Sequence, residues 1–195
     1  MKKTLVLLPA FVFMLVACND ASNETTETTN TSVSSNTARD GDNDNPNANV
    51  QTDEKGKTFL TKAANSGMAE VQLAQLAQQK ATIEAVKNFA AMLEKDHTEV
   101  NNEVKSFAGQ RNVSLPSTPS EEKQKMQRDM EKLSGKNFDK EYISMMVNGH
   151  KESIDLFEDT RASTTDVDIK NFADKTLPKL KTHLDSAQAI KKRYW

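Results

Sequence analysis

From about Thr52 to the carboxyl terminus the chain keeps a single hydrophobic period of 3.6 residues in four long stretches. That pattern constrains the fold more than any other feature of the sequence. Each stretch is long enough to need a partner along its whole apolar stripe, so the stretches must pack on one another. Ala, Leu, Lys, Glu, Gln and Met dominate this half, with only 6 glycines and 5 prolines in the whole chain. These residues lose little side-chain freedom in a helix, and an all-α domain follows.

The stripes can be read individually. Helix A spans about Asp53 to Lys80, with Leu60, Ala63, Gly67, Glu70, Ala74 and Ala77 on one face; its small residues allow a neighbour to approach closely. Helix B is expected to be capped by Thr82 and to stop near Gly109, with the stripe Val86, Ala90, Leu93, His97, Val100, Val104 and Phe107. A loop containing Pro116 and Pro119 leads to a short helix capped by Ser120 and ended by Gly135. Helix C, expected to be capped by Asn137, carries Ile143, Met146, His150, Ile154 and Phe157. After a polar loop at 162–166, with Thr165 and Asp168 in capping-box spacing, helix D shows Ile169, Ala173, Thr176, Leu180, His183, Ala187 and Ile190. Pro178 removes one backbone donor there and is expected to kink the helix. Short A–B and C–D turns with a longer B–C link predict a ferritin-like, up-down four-helix bundle with an extra short helix in the B–C connection. The segment Val86 to Ala90 recurs as Ile169 to Ala173, each ahead of a stripe histidine, as in two related hairpins.

The amino terminus belongs to a different regime. Lys2 and Lys3 precede an apolar run from Leu5 to Ala17, which is of signal-peptide length and too short to span a bilayer. It ends Leu15-Val16-Ala17-Cys18, which resembles the lipobox of bacterial lipoproteins. Residues 1–17 are thus expected to be a cleaved signal, and Cys18, the only cysteine, the lipidation site. Acyl chains, not a helix, would hold the mature protein to a membrane. Residues 18–51 are almost wholly Asn, Thr, Ser, Asp and Ala, a composition that cannot offset the entropy of ordering, and read as a tether. The bundle is assigned to 52–195. This organisation predicts an exported protein of the bacterial cell envelope, lipid-anchored at the outer membrane and facing the periplasm. A formal net charge of −2 provides no field to collect nucleic acid.

Each of the three histidines falls where its stripe asks for an apolar residue, and Glu70 does the same on helix A. Di-iron bundles use a Glu from each of two helices and Glu-x-x-His from each of the other two. Glu70 with Glu94 and His97 fits one half of that scheme. The other half departs from it: helix C offers His150 and Glu152, and Leu180 stands where the Glu before His183 would be. A mixed site of Glu70, Glu94, His97, His150 and His183 for one divalent metal (Fe, Zn or Cu) is the candidate, with Asp96 and Glu152 as supporting groups. Heights counted from the turns place Glu70 level with Glu94, and leave His183 about 7 Å off His150 along the bundle axis, which argues against a compact set of ligands. The plainer reading is a buried polar network that fixes helix register. Phosphate loops, Ser-His-Asp signatures and cysteine clusters are absent from the sequence, so no catalytic set is expected and no cofactor beyond such a metal.

The motifs Phe59-Leu60, Gly67, Glu70-Val71, Phe89-Ala90, Asp96-His97, Leu115-Pro116, Gly135 to Asp139, Tyr142 to His150 and Leu177-Pro178 with His183-Leu184 resemble the bacterial domain of unknown function 4142 family. The resemblance runs from about Lys57 to Lys191. It implies a ferritin-like bundle, often in envelope proteins labelled outer membrane proteins, and no established activity. A non-enzymatic structural or stress-related accessory protein is the first functional expectation. A metal-binding or oxidising bundle is the second, and a module that recruits a partner through an exposed helix face the third.

Overall fold

The computed structural model describes residues 51–195. Cys18, the signal and nearly all of the tether therefore lie outside the described residues. Five helices follow in order: α1 (Glu54–Lys80), α2 (Glu84–Gln110), α3 (Glu121–Glu131), α4 (Gly135–Ser163) and α5 (Val167–Tyr194). No strand occurs among the described residues.

The four long helices form a bundle in which α1 packs on α2 and α4, and α5 packs on α4 and α2. Polar staples at the two ends give the directions. At one end, Asp139 at the start of α4 accepts hydrogen bonds from the backbone N–H of Thr82 (3.0 Å) and Ile83 (3.1 Å) in the α1–α2 turn. At the other, Asp53 caps α1 through Gly56 N (2.7 Å) and accepts from the N–H of Thr165 (2.7 Å) in the α4–α5 turn. Arg111, just past α2, grips Asp166 at the start of α5 with two bonds of 2.6 and 2.8 Å. Hence α2 and α4 run in the same direction, and the link between them must return along the bundle, about 40 Å for a 27-residue helix. This is the single long crossover of ferritin-like folds. The short helix α3 lies in that crossover, against α1 and α4.

Several caps differ from the expected ones for local reasons. Ile83, not Thr82, is the N-cap of α2, because the Thr82 hydroxyl is drawn to Asp139 (2.5 Å) instead of its own helix. Ser134 replaces Asn137 as the N-cap of α4, since Gly135 adopts φ +56°, which costs glycine little, and opens the helix three residues earlier. Asp166, accepting from Ile169 N, caps α5 in place of Thr165. Pro178 does not interrupt α5, which is continuous to Tyr194. Gly67 lies where Asn101 crosses α1, with no room there for a Cβ.

Two apolar clusters fill the interior. One gathers Leu73, Ala77, Phe89, Leu93, Phe138, Tyr142 and Met146; the other gathers Phe59, Leu60, Val104, Ile154, Phe157, Ile169, Phe172 and Leu180. Each draws on all four long helices. Along each of the four long helices, a buried polar residue lies between the two clusters: Glu70, His97, His150 and His183.

Candidate metal centre

The polar layer is fully inside the bundle, with His150, His183, His97 and Glu70 only 0, 1, 4 and 7 % exposed. One ring nitrogen from each histidine lies within 4.8 Å of the other two. The remaining nitrogen of every ring is held by an acceptor. His97 Nδ1 meets Glu70 Oε2 at 2.9 Å, His150 Nδ1 meets the Met146 carbonyl at 2.8 Å, and His183 Nε2 meets Asp96 Oδ2 at 2.9 Å.

These partners decide the tautomers. A carbonyl and a carboxylate can only accept, so His150 carries its proton on Nδ1 and His183 on Nε2. His150 Nε2 and His183 Nδ1 then face each other as bare lone pairs, 3.3 Å apart. Two neutral imidazoles so arranged cannot satisfy one another. His97 Nε2, the third convergent nitrogen, is buried and meets no hydrogen-bond partner among the described residues. Two nitrogens bound at about 2.0–2.1 Å to a tetrahedral metal sit roughly 3.3 Å apart, so the His150–His183 spacing already suits an ion between them. His97 offers its nitrogen within 4.8 Å of both and would move inward to share the ion.

Electrostatics separates the three rings. Burial opposes a charge on His97, but the Glu70 carboxylate outweighs it and holds the pKa above the usual 6.5. Burial also works against Glu70, yet His97 keeps its carboxyl down at about 2. His150 is lowered by burial, with the charge on His97 adding to the effect despite the pull of Glu70. His183 is brought down to about 4, by burial first and then by its two histidine neighbours, against the opposing bond from Asp96. His150 and His183 are thus neutral near pH 7, the state in which imidazole is a ligand.

The structure brings together Glu70, His97, His150, His183 and Asp96, and leaves two candidates outside. Glu94 is turned away from the interior and accepts from Gln75 (2.8 Å) and Gln78 (2.6 Å) on α1. Glu152 is exposed. Counting heights from the turns fails here because side chains lean toward the amino end of their own helix. In the antiparallel pair α4–α5 the leans of His150 and His183 converge and close the 7 Å offset. The same convergence in α1–α2 matches Glu70 with His97, where height alone matches it with Glu94. Glu70 is therefore not level with the other ligands' inward nitrogens but behind His97. Asp96, adjacent to His97 in sequence, serves the ring of His183 instead, and is itself met by Lys179 at 3.3 Å. The Met146 carbonyl was invisible to residue-type reasoning; the only sequence signal is its place one turn before His150.

Two solved structures share the fold. A DUF305 fragment from Deinococcus radiodurans is 10 % identical with a TM-score of 0.65, covering 74 % of this chain and 99 % of its own. CopM in the Cu(II)-bound form is 16 % identical with a TM-score of 0.60, covering 72 % of this chain and 97 % of its own. Identities this low speak for the fold alone. No curated protein sequence matches the chain. The sequence profile of one family matches residues 42–190, and with that extent of agreement the chain belongs to the family described as Domain of unknown function (DUF4142).

Proposed function

We propose that the bundle binds one transition-metal ion through His150 Nε2, His183 Nδ1 and His97 Nε2, the last giving up to solvent the proton it holds in the charged ring. The observation that carries this reading is the pair of opposed lone pairs at 3.3 Å with a third unpartnered nitrogen beside them. A purely structural network would place a donor opposite an acceptor. Glu70, Asp96 and the Met146 carbonyl act on the outer nitrogens, as partners behind metal-bound histidines generally do. The two carboxylates also balance the charge of a dication. Three imidazoles suit Zn, Cu, Fe or Ni, and Cu(II) is the first to try, since the CopM structure of similar fold holds it. A lipid anchor at Cys18 would place this site in the bacterial envelope; that part rests on the sequence of residues 1–18.

The test is elemental analysis of protein purified without chelator or affinity histidines, after incubation with Cu, Zn, Fe or Mn and removal of loose metal. One equivalent of one of these per chain is expected, with loss of that equivalent in His150→Ala. Less than a few tenths of an equivalent of every metal in the wild type would end the proposal.

A further inference from the structure

A cleft of about 290 Å³ opens between α1, α3 and α4. Its walls carry Met126 from α3 and Met145 and Met146 from α4; Glu122, Glu141 and Glu152 also line it, and these three acids outnumber its one cation, Lys123. Glu70 lines it too. The same carboxylate lines a small inner cavity of about 20 Å³ shared with His97. Glu70 is thus the one ionisable residue common to the cleft and the His97 cavity. Gly149 lies at that junction: a Cβ there would meet Glu70 Oε1 at 3.5 Å, an ordinary contact, so a larger side chain can be placed beside the carboxylate to narrow the cleft.

The cover of this cleft is lightly held. Of the 11 residues of α3 only Met130 is buried, whereas every long helix buries seven or more. The amino end of α3 is pinned by Asn65, whose Oδ1 accepts from Ser120 N at 2.6 Å, and its carboxyl end by Lys80, which bonds the Glu131 carbonyl. Few apolar contacts and exposed ends are the marks of an element that opens locally. Met126 and Met145 are only partly buried, unlike Met130 and Met146 in the core. Two partly buried thioethers in one cleft, in a bundle with ample Leu for filling, place soft ligands along a path from solvent to Glu70.

We propose that the metal reaches and leaves the three histidines through the cleft under α3, passing Glu70, and that Met126 and Met145 favour a soft monovalent ion of the Cu(I) class along that path. This rests on the metal-binding reading above. Thioethers prefer Cu(I) to hard or borderline dications, while the imidazoles at the end accept both classes. Selection would then lie in the rate of loading, and affinity would remain with the histidines.

The full chain is loaded with Cu(I) under anaerobic reductant, or with Zn(II), each presented from a chromophoric chelator in a stopped-flow instrument. For Met126→Leu/Met145→Leu, which preserves apolar volume, Cu(I) loading is expected to slow at least tenfold. Its Zn(II) rate and its equilibrium affinity for both ions should stay within a factor of two of the wild type. Gly149→Leu, which plugs the junction with Glu70, is expected to slow both ions at least tenfold at unchanged stoichiometry. Wild-type Cu(I) rates in both variants would overturn the route; equal slowing of Cu(I) and Zn(II) in the methionine variant would overturn the selectivity. A wild-type protein that binds neither ion would fail the metal reading itself, and the route would fall with it.

Discussion

Replacing His97 by leucine tests what the buried carboxylate of Glu70 depends on. In the folded protein Glu70 is 7 % exposed, its Oε2 is 2.9 Å from His97 Nδ1, and its pKa lies at about 2 against an ordinary 4.5. At about 1.4 kcal/mol per pKa unit, that depression is a contribution of about 3 kcal/mol to stability, present above pH 4.5 and lost as pH falls toward 2. In His97→Leu the carboxylate remains buried with no partner. Breaking one side of such a pair typically costs about 3–5 kcal/mol, a large share of a marginal total. The sign of the pH dependence also reverses. Without His97, burial is opposed only by the weaker pulls of His150 and Lys123 and lifts the Glu70 pKa above its unfolded value, so the variant is penalised as pH rises through that raised pKa and relieved below it. Urea unfolding of metal-free protein, followed by circular dichroism, should give a gap between wild type and variant of about 3–5 kcal/mol at pH 7, narrowing by about 2 kcal/mol or more at pH 3. The double variant Glu70→Leu/His97→Leu, which removes both charges, should recover most of the loss. A gap that is the same at both pH values, or a double variant no better than the single, would refute the ion-pair account.

Three other outcomes are expected. Asp139→Ala strands two backbone donors, at Thr82 and Ile83, in the α1–α2 turn and should lower the unfolding free energy by about 2–3 kcal/mol, whereas Asn should recover part of it. Asp166 is held down at about 2, burial opposing and the Arg111 guanidinium prevailing, so its contribution is present above about pH 4 and lost as pH falls to 2; Asp166→Asn should flatten that part of an acid-unfolding curve. Cys18→Ser should move the protein from the membrane to the soluble fraction on lysis, and continued acylation of that variant would refute the lipobox reading.

The fold was legible wherever one periodicity decided the matter. Leu60, Ala74, Ala90, Leu93, Ile143 and Ala173 are apolar stripe positions in the sequence and buried residues in the structure. Gly67 was readable as a close approach because nothing else explains a glycine in a helical stripe. What escaped were the interactions that need two elements to be placed first. Asp139, an acid at a helix start, looks like ordinary dipole chemistry until the α1–α2 turn arrives above it. Arg111 looks like a loop cation until Asp166 is brought to it across 55 residues. In the polar layer the histidines could be named because they interrupt stripes. Glu94 could not be separated from Glu70 by spacing, since a residue three before His97 shares its broad face but points about 60° away around the helix. That angle sends it to Gln75 and Gln78 instead of inward.

The division of the interior into two apolar clusters has a consequence for cooperativity. Each cluster involves all four long helices, and each end has its own staples, Asp139 at one and Asp53 with Arg111–Asp166 at the other. Between them the helices are joined by a layer of imidazoles and carboxylates in place of interlocked hydrocarbon. Such a bundle has a natural parting plane, across which the two halves can fluctuate as separate foldons while the backbone stays helical throughout. An ion drawing His97, His150 and His183 onto one centre would fasten α2, α4 and α5 at that plane, turning two loosely linked cores into one cooperative unit.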